Sequence, residues 1–141
     1  MAELSLAEAL AIDAVSVPAQ AAGLAAKILS IQTPTVTAYA SDGAISFANP
    51  ENIAKLTKSG SAGAYTLAAP KAAQEGYRLL ILCQSAQAHV VTATDLLDDG
   101  VTGGAKDTAT FGAFVGSSLD LIAINLKWHV IGKNVVTIAG S

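Results

Sequence analysis

The residue types in this chain that could do chemistry are two histidines, His89 and His129, one cysteine, Cys83, one tryptophan, Trp128, and the aspartates Asp95, Asp98, Asp99 and Asp107. A metal centre needs three or four converging donors, and neither histidine has a His, Cys or carboxylate at ligand spacing. Asp95-Leu-Leu-Asp98-Asp99-Gly100 falls short of a calcium loop, because Leu97 takes a ligand position and no glutamate closes it. Gly100-Val-Thr-Gly103-Gly104-Ala-Lys106-Asp107 has the wrong glycine spacing for a phosphate loop, with Asp107 where Ser or Thr must hold magnesium. Cys83 lies in the most apolar run of the chain, where burial raises a thiol pKa and hides the nucleophile. No serine sits in Gly-x-Ser-x-Gly. Trp128, flanked by Val130, reads as a core or interface anchor rather than a sugar platform. The expectation is therefore no catalytic residue, no cofactor and no metal, so that the chain is not an enzyme.

Composition agrees with that reading. At 141 residues the chain suits one main domain, 52% hydrophobic and only 13% charged, against about 25% charged in ordinary soluble domains. The apolar excess exceeds what one small core hides easily, and a subunit interface is its simplest destination. Eight basic residues against eleven acidic give a net charge of −3, without a Lys/Arg cluster, so no nucleic-acid partner is expected. A single cysteine excludes an internal disulfide and fits assembly in a reducing cytoplasm. The alanine-rich start lacks a basic region and is interrupted by Glu3, Glu8 and Asp13, unlike an export signal. No stretch approaches the roughly 18 to 20 apolar residues of a membrane helix, so no membrane partner is expected.

The elements that would position these residues change character near Pro34. Residues 1–32 are alanine-rich and permit either a helical segment broken at Pro18 or an extended arm. Residues 33–141 form a second region with β-branched residues and period-two patterning. Thr35–Tyr39 reads as a strand, Ser41-Asp42-Gly43 as a turn, and residues 44–48 as its hairpin partner. Residues 53–58 fit either a helical turn or a strand, and residues 64–68 fit a strand. Tyr77–Gln84 is apolar on both faces, with Leu79, Ile81 and Cys83 on one side and Leu80 and Leu82 on the other. Residues 88–94 read as its antiparallel neighbour, and residues 95–107 as a long surface loop. The closing third supplies strands at 108–111, 118–125, 128–131 and 135–139, with Gly132-Lys-Asn as a turn. Ser118–Asn125 repeats the two-faced character through Ile122 and Ile124 opposite Leu119 and Leu121. Short strands without crossover helices predict an all-β fold: an antiparallel β-sandwich or jelly roll with an N-terminal arm or short helical segment.

A family resemblance rests on these packing motifs. Lys58-Ser-Gly-Ser-Ala-Gly-Ala-Tyr65-Thr-Leu-Ala-Ala-Pro70, Gly76-Tyr-Arg-Leu-Leu-Ile, Ala88-His89-Val-Val-Thr92, Lys127-Trp128-His-Val and Val135-Val-Thr-Ile-Ala139 together resemble small bacteriophage virion proteins. These are the capsid decoration (cement) proteins and the β-rich modules of head fibres. The chain departs from the pattern at Asn125-Leu126-Lys127-Trp128, which has no glycine in the turn before Trp128. The resemblance implies a homotrimer on the capsid surface of a virion, assembled in the host cytoplasm, with the major capsid protein as partner. The subunit-interface candidates are Leu80, Leu82, Ile122, Ile124 and Trp128. The capsid-contact candidates are Leu4, Leu6 and Leu10. Two alternatives make different demands: a receptor- or glycan-binding module of a phage tail or fibre would expose an aromatic pocket near Trp128, and a small hydrolase would use the loop aspartates and His89.

Overall fold

In the computed structural model residues 33–140 are described; the chain divides into units 1–34 and 35–141, and the ten strands among the described residues belong to the second. Leu4, Leu6 and Leu10, and the arm or helical segment expected over residues 1–32, lie outside the described residues. The strands are β1 (Thr35–Tyr39), β2 (Gly43–Ala44), β3 (Glu51–Leu56), β4 (Ala64–Thr66), β5 (Arg78–Cys83), β6 (Val90–Asp98), β7 (Lys106–Phe111), β8 (Ser118–Ile124), β9 (Lys127–Asn134) and β10 (Val136–Ala139). Among the described residues one 3₁₀ turn, Ala72–Gln74, interrupts them. The all-β expectation holds.

Strand order is β1-β3-β5-β8-β9-β6-β4-β2, with β7 on β6 and β10 on β7. β1 and β2 end up at opposite ends of that order although only residues 40–42 separate them. The two ends must therefore approach one another, and the sheet curls into a nearly closed, barrel-like sandwich. Bonds across the seam hold it: Tyr65 Oη donates to the Tyr39 carbonyl at 3.1 Å, and Ser46 N–H donates to Tyr39 Oη at 2.8 Å.

Antiparallel pairing was expected throughout, and the sheet is mixed. Antiparallel contacts join β5 to β8, β8 to β9, β6 to β7 and β7 to β10. Parallel contacts join β1 to β3, β3 to β5, β2 to β4, β4 to β6 and β6 to β9. Parallel neighbours require a crossover between them, ordinarily a helix. Here a strand at the other end of the order supplies it: the chain alternates β1, β2, β3, β4, β5, β6 between the two ends, so each end grows by parallel addition. That alternation also removes two expected hairpins. Residues 43–44 pair with β4, not β1, and β6 pairs with β4, β7 and β9, not β5.

Two expected loops are partly strand. β6 runs on to Asp98 through an irregularity where Asp95 takes φ +57° and its N–H donates to Asp107 Oδ1 at 2.9 Å. The bulge returns Leu97 to the core, leaving only residues 99–105 as loop. The turn expected at Gly132-Lys-Asn is strand, and the chain instead bends at Val135, φ +54°, passing from its pairing with β8 to a pairing with β7 without reversing direction.

One core serves the whole sheet. Leu56, Leu79, Ile81, Leu119 and Leu121 come from one end of the strand order, and Tyr65, Val91, Leu97 and Phe111 from the other. Every second residue of β5 and β8 enters it, as period-two patterning requires. Burying side chains of this size contributes roughly 1.5–3 kcal/mol each.

Candidate functional site

The strongest surface feature follows from that alternation. With Leu79, Ile81, Leu119 and Leu121 inside, the other face of β5 and β8 carries Leu80, Leu82, Ile122 and Ile124, all half-buried. Four of the five interface candidates thus share this outer face, where the register sets them diagonally among polar partners: Arg78 lies opposite Ile122, Leu80 opposite Asp120 and Leu82 opposite Ser118. Two further residues, missed in the sequence because β3 was ambiguous and β1 was assigned to a hairpin, extend the row. Ile53 is level with Leu80, and Val36 with Ile53. Val36 is exposed. Within this face Arg78 Nη2 meets Asp120 Oδ2 at 3.1 Å. Both groups remain partly solvated, so the pair contributes about 0–1 kcal/mol to stability and more to orienting a contact.

Trp128 does not belong to that surface. It is fully buried, its indole edge-on to Phe47 at 4.9 Å between ring centres, and its Nε1 donates to the Ala68 carbonyl at 2.9 Å. It is a core residue of its own subunit, because β9 is enclosed where it pairs with both β8 and β6. Its ring therefore offers no exposed face of the kind a glycan module would present.

A second apolar surface lies at one corner. Phe114 and Val115, in the loop between β7 and β8, and Val135, between β9 and β10, are all exposed. A Cβ on Gly112 would stand 2.5 Å from Val135 Cγ1 and 3.3 Å from Phe114 Cδ2, so Val135 and Phe114 both close on Gly112 and a larger residue there would force them to shift. Val135 holds a left-handed backbone that a β-branched residue rarely adopts. Nothing in the local sequence foretold this corner, since it depends on two loops converging.

The polar candidates resolve into structural roles. Asp98 Oδ1 accepts from Gly100 N–H and Asp99 Oδ1 from Val101 N–H, each at 3.1 Å, closing two Asx turns. Asp98 also faces His129, with Nδ1 to Oδ2 at 3.6 Å. Among the described residues no group of three His, Cys, Asp or Glu side chains is placed to hold a metal. Cys83 is buried, and its thiol points at the Ser85 carbonyl, 2.9 Å away.

His89 is fully buried and makes a pair the sequence did not reveal. Its Nε2 lies 2.8 Å from Ser85 Oγ, and its Nδ1 accepts from Gly63 N–H at 2.8 Å. A serine nucleophile needs a ring nitrogen free to accept its proton. Ser85 instead directs its hydroxyl hydrogen to the Lys58 carbonyl, so the ring must donate to Ser85. The pair is set up as a clip between segments and not as a nucleophile with its base.

No helix among the described residues is long and apolar enough to cross a membrane. No protein-family model matches the chain, and no curated protein matches it.

Proposed function

We propose that the chain is a structural virion protein, a homotrimeric capsid decoration (cement) protein that binds the capsid surface and stabilises the head. The observation that carries this reading is the outward apolar row of Leu80, Leu82, Ile122 and Ile124, extended by Ile53 and Val36. A sheet with one face in its own core and a second apolar face calls for a second cover. A threefold ring joins each subunit to the next through two different surfaces. The chain offers two, the outer row and the Phe114–Val115–Val135 corner. The major capsid protein is the remaining partner, gripped through Leu4, Leu6 and Leu10. Three such grips held by one trimer gain from effective concentration, so modest contacts per subunit suffice.

The test is co-sedimentation with emptied, expanded capsids. The full chain is expected to pellet with them, and a variant lacking residues 1–12 is expected to stay trimeric and remain in the supernatant. Equal capsid occupancy by the two proteins rejects the N-terminal grip, and no binding by the full chain rejects decoration.

A further inference from the structure

The histidine clip lies where the two ends of the sheet meet. Segment 58–63 connects β3, from one end of the strand order, to β4, at the other. Its first residue is held twice: the Lys58 carbonyl accepts from Ser85 Oγ, and Lys58 Nζ reaches Asp42 Oδ1 at 2.8 Å. Asp42 Oδ1 also accepts from Ala64 N–H at 2.9 Å. Gly63 is likewise held twice, its carbonyl accepting from Val90 N–H at 2.9 Å and its N–H donating to His89 Nδ1. A Cβ on Gly63 would stand 2.6 Å from the Tyr65 ring, so this backbone is pressed against the core.

The proton positions in this network are dictated by its partners. A carbonyl accepts only, so Ser85 gives its hydrogen to Lys58 and receives one from His89 Nε2. A backbone N–H donates only, so Nδ1 must carry a lone pair. The ring is therefore neutral and protonated at Nε2, and the lone pair that would take a second proton is the one holding Gly63.

We infer that His89 is an acid-operated latch, whose protonation breaks the Gly63 bond and releases segment 58–63 from the seam of the barrel. A proton on Nδ1 would face the Gly63 N–H, two donors with no acceptor between them. Lys58 opposes the new charge, Asp42 favours it but already holds Lys58 and Ala64, and the Tyr65 phenol beside the ring, its pKa raised by burial, stays uncharged. Burial holds the imidazole below its ordinary range, Lys58 adds to that push, and Asp42 offsets part of it. For a depressed histidine the latch is intact above about pH 6.5 and weakens as the pH falls below it. The inference stands whatever the chain binds.

The test is NMR of the full chain. At pH 7.5 the His89 ring ¹⁵N shifts are expected to report the Nε2–H form. Between pH 6.5 and 5.5 the Gly63 amide protection factor, corrected for intrinsic exchange, is expected to fall up to about tenfold, the effect of one linked proton. In a His89→Gln variant, whose side-chain carbonyl can accept from Gly63 without titrating, that fall should vanish. An Nδ1–H ring, a Gly63 protection factor that does not change with pH, or an unchanged fall in His89→Gln each overturns the latch. Should His89→Gln not fold, the ring shifts and the wild-type Gly63 profile still decide.

Discussion

Trp128 couples the strands from inside: its ring abuts Phe47 and its Nε1 holds the Ala68 carbonyl, sixty residues away in sequence. Trp128→Phe removes that donor and strands a carbonyl, and should lower unfolding stability by about 1–3 kcal/mol in urea titration. Trp128→Ala adds a cavity and should cost about 3–5 kcal/mol. A larger loss for alanine than for phenylalanine is the signature of a core role, whereas an accessible platform would show almost no loss for either. The identity of Trp128 as an anchor was legible from its apolar neighbours, but its side was not, because β9 pairs partly with β8 and partly with β6. His89 presents the opposite case. Its apolar setting was legible, and Ser85 stands only four residues before it, whereas Gly63 is brought to the ring by the fold alone. Since its pKa is lowered in the fold, the unfolded chain binds more protons below about pH 6.5, and stability should fall on acidification with a slope of up to about 1.4 kcal/mol per pH unit. Urea midpoints at pH 7.5 and pH 5.5 check the sign: a more stable protein at pH 5.5 would contradict the assignment.

Among the elements, the β8–β9 hairpin is the one built against its own sequence. Asn125 and Leu126 both take positive φ, +51° and +62°, the signature of a tight primed turn that favours glycine at its second position. The Glu75 carboxylate accepts from Asn125 N–H at 3.0 and 3.2 Å and fixes the turn from outside. Leu126 is half-exposed and contributes little burial to offset its backbone cost. Leu126→Gly should therefore raise stability by about 0.5–1 kcal/mol, read as a higher urea midpoint at unchanged slope. A lower midpoint would mean that Leu126 packs in a way its exposure does not reveal. The missing glycine was visible in the sequence, and it marks real strain rather than a different hairpin. Strand positions were also legible wherever both faces are apolar, as in β5 and β8. Their partners were not, because sequential strands ordinarily pair whereas this fold sends each successive strand from β1 to β6 to the opposite end of the sheet.

For the molecule as a whole, the decisive property is an apolar face left after the core is complete. Leu80, Leu82, Ile122 and Ile124 were legible as one outward set because period-two alternation fixes sides even when pairing is misjudged. The Phe114–Val115–Val135 corner was not, since the pairing of β10 with β7 is what brings its two loops together. A Leu80→Lys/Ile122→Lys double variant leaves the inward residues untouched and should retain the wild-type far-ultraviolet spectrum while losing self-association. Sedimentation velocity on the full chain at tens of micromolar tests the central claim most directly. A species of three times the 14.1 kDa chain mass, converted to monomer by Leu80→Lys/Ile122→Lys, is the predicted result. A wild-type protein that sediments as a monomer across that range, or a double variant that remains fully trimeric, would contradict it.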